Sequence, residues 1–330
     1  MIAAIVYKPL KGMTQDVNAE LLHRFQNALP DDETVFCRTL QELMEKGIRA
    51  DCILGGLPDL ERSPDEITLA QYCDWAGSVK WFQTIFTGLD AFVNNPVFQD
   101  NRLRLVNSRG ISAIPISDHI MAFILCFSRC ILQMVSQKQA HIWSRPKGAD
   151  DLTDKVLGII GMGAIGKETA RKAKAFGMKV YGFKRTPVPV PEADRMFHTR
   201  EGLLEMISLS DYVIMLLPAS EETRGFMSDE LFRSMKETAY FINTGRGICV
   251  DTDALIRALM AKKIKGAALD ALDPEPLPED SPLWDMENVL LTPHYAGDSV
   301  QTFDRCLDLF IENIARCKEG LSLKNEVLLH

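Results

Sequence analysis

Along this chain, short apolar runs alternate with stretches of helical period. Residues 2–6, 34–37, 52–54 and 81–85 are brief and apolar, as buried strands are. Between them, residues 17–29 place Leu21, Leu22, Phe25 and Leu29 on one helical face. A strongly apolar helix is expected over 116–127, capped by Ser117 and Asp118. A polar loop containing Pro146 and Gly148 follows over 141–154. A second alternating series begins at residue 155. It predicts six strands, at 156–160, 180–183, 212–216, 240–243, 267–269 and 289–291, with helices between most of them. Residues 299–317 read as an amphipathic helix whose apolar positions are Phe303, Leu307, Phe310, Ile311 and Ile314. Two such series predict an α/β protein with two doubly wound parallel-sheet domains.

Composition narrows this picture. The chain has 330 residues, natural for two domains, of which 46% are hydrophobic and 25% charged, as in a globular protein. A net charge of −8 with no basic block argues against a nucleic-acid partner. No apolar run reaches the ~20 residues of a membrane helix. The apolar start at Met1 to Tyr7 lacks the basic flank and longer core of an export signal, so a cytoplasmic protein with no membrane partner is expected. The eight cysteines form no CxxC pair and stand near no histidine cluster, which points to free thiols and no metal site.

The most informative stretch is Gly161-Met162-Gly163-Ala164-Ile165-Gly166, set between a predicted strand and the helix-forming run 167–176. In that context Gly161 allows a tight turn, Gly163 lets the backbone approach a pyrophosphate, and Gly166 lets the helix pack closely on the strand. The helix N-terminus then offers N–H groups and partial positive charge to phosphates. A dinucleotide-binding Rossmann domain is expected. NAD sites usually carry an acid ~20 residues after the glycines, on the ribose hydroxyls. Here the second strand ends in Lys184-Arg185-Thr186, and no acid follows before Glu192. Two cations and a hydroxyl suit a 2′-phosphate, so NADP(H) is expected in preference to NAD(H).

Three later strand ends carry ionisable side chains. Arg246 stands between Gly245 and Gly247. Asp270, Asp273 and Glu275 are interleaved with Pro274, Pro276 and Pro278. His294 follows Thr292-Pro293. Together they suit hydride transfer to a 2-oxo acid. Arg246 supplies a cation for the carboxylate and the developing alkoxide. His294 supplies a proton donor near neutral pH. Glu275 favours the imidazolium and fixes the ring. Gly55-Gly56 and Thr87-Gly88 each follow a predicted strand and are candidate substrate loops.

In this order and spacing, these motifs resemble the D-isomer-specific 2-hydroxyacid dehydrogenase family. The resemblance spans about residues 85–316 and includes Leu217-Pro218, Glu222-Thr223 and Ser281-Pro282-Leu283-Trp284. It implies Arg246, Glu275 and His294 as catalytic residues. It implies substrate contacts at Gly56, Thr87, Gly88, Arg246 and His294. It implies cofactor contacts at Gly161, Gly163, Ala164, Ile165, Gly166, Lys184, Arg185, Thr186, Leu217, Pro218, Thr223, Thr244, Gly245, Asp270, His294, Ala296 and Gly297. The family architecture implies a flavodoxin-like substrate domain from residues 1–103 and 297–330, and a nucleotide domain from 104–296. It further implies a homodimer built through the nucleotide domains. The expected activity is reduction of 2-oxo acids to D-2-hydroxy acids. A dinucleotide-sensing binding protein and a phosphite or formate dehydrogenase are the alternatives on this fold. Ser117-Asp118 and Tyr295 depart from the common family residues, so glyoxylate, hydroxypyruvate, pyruvate and bulkier oxo acids all stay open.

Overall fold

A computed structural model describes residues 1–8, 17–56, 66–89, 92, 95–99 and 102–327. Its strands are β1 (Ile2–Val6), β2 (Glu33–Cys37), β3 (Cys52–Gly55), β4 (Trp81–Thr84), β5 (Arg104–Val106), β6 (Val156–Ile160), β7 (Lys179–Phe183), β8 (Arg195–Phe197), β9 (Tyr212–Met215), β10 (Tyr240–Asn243), β11 (Gly266–Leu269), β12 (Val289–Leu291) and β13 (Glu326–Val327). The helices are α1 (Ala19–Ala28), α2 (Leu40–Glu45), α3 (Leu69–Ala76), α4 (Pro96–Gln99), α5 (Ala113–Ser128), α6 (Ile131–Gln139), α7 (Ala164–Ala175), α8 (Arg200–Leu209), α9 (Asp229–Ser234), α10 (Thr252–Met260) and α11 (Thr302–Lys318). The chain divides into two compact units, Met1–Ser112 with Asp298–His330, and Ala113–Gly297. The first break thus falls after Ser112 rather than after residue 103, because β5 pairs with β4 and with β13 inside the first unit.

The first unit is built on a sheet of order β13-β5-β4-β3-β1-β2, parallel except for β13 against β5. One face is covered by α1 and α11. Of the predicted apolar stripe of α11, Phe303, Leu307, Phe310 and Ile314 are buried there and Ile311 is half-buried, with Phe303 against Tyr7 and Phe310 against Trp81 and Phe25. The loops that follow β3 and β4 carry Gly56, Thr87 and Gly88.

The second unit is built on an all-parallel sheet of order β12-β11-β10-β9-β6-β7-β8. It has seven strands, where the hydrophobic pattern predicts six. The added edge strand β8 is three residues long, and of these only Phe197 is buried, so it shows no apolar run. Strands β9 and β11 are buried at every position, which is why they read as continuous apolar runs. The order reverses at β6, with β7 and β8 on one side and β9 to β12 on the other. The glycine turn after β6 therefore lies at the switch point where such sheets bind ligands.

Ser117 and Asp118 do not cap α5, which begins before them at Ala113. Pro115 fits in the first turn, where its missing N–H breaks no helical bond. Ser117 is buried and its hydroxyl donates to Ile114 O at 2.8 Å. Lys172 of α7 donates to Ser117 Oγ at 2.7 Å and to Asp118 Oδ1 at 2.6 Å, so the pair ties α5 to α7 instead. Among the described residues no single helix is long and apolar enough to cross a membrane.

Candidate active site

The second unit places its predicted site residues along one edge, in the turns that follow β6, β7, β9, β10, β11 and β12. At the first of these, Gly161 has φ +108°, and a Cβ there would come within 3.0 Å of Leu216 O. A Cβ on Gly166 would lie 2.5 Å from Gly161 O, so the helix can approach the turn only without a side chain. Gly163 is the N-cap of α7 and opens outward, with nothing within 4 Å of where its Cβ would stand. No side chain caps α7 and no acid lies in its first turn, whereas Thr199 caps α8 and Asp251 caps α10. Uncapped N–H groups at a positive helix end suit an anion. A second sign comes from the turn after β10, where the buried hydroxyl of Thr244 has no hydrogen-bond partner among the described residues. A buried polar atom left unsatisfied costs stability, and a group bound at this turn would supply this hydroxyl with a partner. The residues present therefore fit a dinucleotide.

After β7, Lys184 is half-buried and its carbonyl contacts His198 Nδ1 at 2.6 Å. Arg185 and Thr186 are exposed, and Arg185 Nη1 donates to Glu222 Oε2 at 2.6 Å. This ion pair joins the turn after β7 to the loop after β9, where Thr223 Oγ1 donates to Pro218 O at 2.7 Å.

Arg246 stands where β10 gives way to a short 3₁₀ turn, Gly247–Cys249. Asn243, buried at the end of β10, organises this turn. Its amide donates to Ala271 O at 2.8 Å and Arg246 O at 3.3 Å, and its carbonyl accepts from Gly245 N at 3.1 Å. Arg246 Nη1 donates to Gly245 O at 2.9 Å. Glu275 Oε1 accepts from Leu272 N at 2.7 Å, and its Oε2 lies 2.9 Å from His294 Nδ1. Burial pushes the Glu275 carboxyl up. The hydrogen bonds from His294 and Leu272 N, with the charges of His294 and Arg246, outweigh it and hold the group below its ordinary range. The hydrogen bond to Glu275 raises the His294 imidazole, opposed by burial and by the Arg246 charge and helped by the charges of Glu275 and Asp270. The three predicted catalytic residues are thus electrostatically coupled. Glu275 and His294 line a cavity of about 620 Å³ with Asp270, Leu277, Trp284 and Pro293.

Asp270, 3% exposed, fastens the turn that carries His294. Its Oδ1 accepts from Thr292 Oγ1 at 2.5 Å, Tyr295 N at 2.8 Å and Ala296 N at 3.1 Å, and its carbonyl accepts from His294 N at 2.9 Å. The His294 backbone has φ +53°, a left-handed conformation that costs a non-glycine residue about 1–3 kcal/mol. Sequence reasoning missed two residues here, Asn243 and His119. His119, on α5, contacts Thr292 Oγ1 through Nε2 at 3.1 Å. In the first unit Thr87 Oγ1 donates to Ser108 O at 3.1 Å and Asn107 donates to Thr87 O at 3.0 Å, which fixes the loop after β4.

Residues 121–296 match the model of the D-isomer specific 2-hydroxyacid dehydrogenase NAD binding domain. The chain belongs to the D-isomer-specific 2-hydroxyacid dehydrogenase family. This dehydrogenase is 33% identical over 249 residues to glyoxylate/hydroxypyruvate reductase B of Klebsiella pneumoniae (strain 342), covering 73% of this chain and 76% of that one. It superposes with a TM-score of 0.81 on a family protein from Aeromonas salmonicida, at 25% identity over 100% of this chain and 99% of the other. An NADPH-dependent glyoxylate/hydroxypyruvate reductase from Sinorhizobium meliloti, solved with NADP and sulfate, gives 0.75 at 25% identity over 99% and 98%. The dehydrogenase is an NAD(P)-dependent oxidoreductase of 2-hydroxy and 2-oxo acids.

Proposed function

We propose that this dehydrogenase acts as an NADPH-dependent reductase of small 2-oxo acids, with Arg246, Glu275 and His294 as its catalytic residues. The observation that carries the reading is the 2.9 Å pair of His294 Nδ1 and Glu275 Oε2 on the wall of a cavity. An ionised Glu275 only accepts, so Nδ1 keeps its hydrogen. The proton that His294 gives up is then the one on Nε2. Bound NADPH supplies the hydride for C2 of the oxo acid. As the carbonyl oxygen gains the electron pair of its π bond, His294 Nε2 protonates it and is left neutral, its Nδ1–H still held by Glu275. Arg246 attracts the substrate carboxylate and stabilises the negative charge that grows on the oxygen.

Lys184, Arg185 and Thr186 support NADPH as the cofactor. The exposed ion pair of Arg185 with Glu222 is of a kind worth little, so a 2′-phosphate dianion would compete for Arg185 successfully. The test is to follow NADPH and NADH oxidation with a panel of 2-oxo acids. Higher kcat/KM with NADPH is expected, and Arg185→Ala should narrow the preference by about tenfold, the worth of one charge-assisted hydrogen bond. A preference for NADH would sink the cofactor assignment. No turnover of any oxo acid would sink the reductase.

The homodimer implied by the family resemblance would cover an exposed apolar strip of Ile131, Met134 and Val135 on α6 with Ile142 and Trp143 beyond it. Twice the chain mass is expected in sedimentation at micromolar concentration, and a monomer there would remove this reading.

A further inference from the structure

We infer that His119 is a positioning residue for His294, acting through a directed hydrogen-bond chain over Thr292 and Asp270. The inference rests on the reductase reading, and the geometry sets its direction. Thr292 has one hydroxyl hydrogen and lies 2.5 Å from Asp270 Oδ1. That oxygen already accepts the N–H groups of Tyr295 and Ala296, so toward Thr292 it is an acceptor as well. The Thr292 hydrogen therefore goes to Asp270. The 3.1 Å contact of Thr292 Oγ1 with His119 Nε2 is then a hydrogen bond only if His119 donates. This fixes the His119 tautomer as Nε2–H, and the chain runs from His119 to Thr292 to Asp270.

Every end of this chain is held. His119 sits on the second turn of α5, with its ring edge-on to Phe123 at 4.4 Å. Burial holds the His119 imidazole below the ordinary histidine range, against the pull of Asp270 3.8 Å away. The donor at Nε2 is present in the neutral and in the charged ring alike, so the chain does not depend on titration. At its other end, Asp270 grips three groups of the turn by its side chain and His294 N by its carbonyl. That turn holds His294 at φ +53°, a conformation the backbone does not favour by itself. Removing His119 takes away the donor that holds the Thr292 hydroxyl in place against Asp270. The turn is then free to relax and the imidazole moves relative to the substrate, and small displacements of a reacting group are costly in rate. His119 touches none of the reacting atoms and acts only through this brace.

The test compares His119→Leu and His119→Gln with Thr292→Val and Thr292→Ser, in NADPH-dependent reduction of the best oxo acid. His119→Leu should lower kcat about tenfold, the scale of one buried hydrogen bond, with KM for NADPH little changed. His119→Gln, whose amide keeps a donor, should recover to within a few-fold of the parent. Thr292→Val should lose at least as much as His119→Leu, and Thr292→Ser should not. The double variant His119→Leu/Thr292→Val should be no worse than Thr292→Val alone, because both cut one chain. Parental kcat in His119→Leu, equal losses in His119→Gln and His119→Leu, or additive losses in the double variant would each overturn the inference. If His119→Leu does not fold, the Thr292 pair and His119→Gln decide it alone. An inactive parent would instead remove the reductase reading.

Discussion

Replacing His294 with alanine is expected to lower kcat/KM for oxo-acid reduction by about 10²–10⁴-fold, the span of a positioned general acid. Any loss of NADPH affinity, read by fluorescence titration, should be small beside the loss of rate, because the proposed main role of the imidazole is proton transfer. A value within a few-fold of the parent would show that another group delivers the proton. The pH profile carries the same point further. In the proposed mechanism reduction needs protonated His294, so kcat/KM is expected to be level below its pKa and to fall as pH rises through it. The hydrogen bond to Glu275 raises that pKa, which extends activity to higher pH. Glu275→Gln removes the carboxylate charge, so the falling limb should move toward acid. A limb that stays in place would show that Glu275 does not sustain the imidazolium.

Much of this site is legible in the sequence because strand ends are. Buried parallel strands read as apolar runs, and whatever follows them stands at one edge of the sheet. Gly161, Arg246, Asp270 and His294 therefore stand at the same edge of one sheet although far apart along the chain. Two edge strands carry no such signal. Strands β8 and β13 are three and two residues long, and of their residues only Phe197 is buried, so they hold position through their neighbours. Ser117 looks like a helix cap because of its residue type, yet the helix starts at Ala113 and Lys172 claims the hydroxyl. His119 is a lone histidine on an apolar helix, which reads as a core residue. Only the placement of Thr292 beside it gives the ring a directed partner. Asn243 could have been suspected as a polar residue closing an apolar strand, but its three bonds across the Arg246 turn need coordinates.

Arg246→Ala is expected to lower kcat/KM by about 10²–10³-fold, the loss seen when a preorganised donor to a developing oxyanion is removed. The magnitude follows from how firmly the turn is built. Asn243 binds both sides of it, and Gly247 lies so close to the next segment that a Cβ would sit 1.7 Å from Leu272 O. The Leu272 N–H in turn holds Glu275. The guanidinium is thus aimed by the same backbone that fixes the carboxylate partner of His294, and its charge acts on both groups. Arg246→Lys keeps the charge but loses the planar fork, so it should restore only part of the activity. The division between constants separates the two tasks of the side chain. A rise in KM for the oxo acid alone would mean that Arg246 binds the carboxylate equally in ground and transition states. A fall in kcat as well would mean that it also stabilises the alkoxide, and this is the outcome expected. Because the Arg246 charge also lowers the His294 pKa, its removal should move the falling limb of the pH profile toward base, opposite to Glu275→Gln. Shifts in the same direction in the two variants would contradict the coupling of Arg246, Glu275 and His294 and return Arg246 to a purely structural turn.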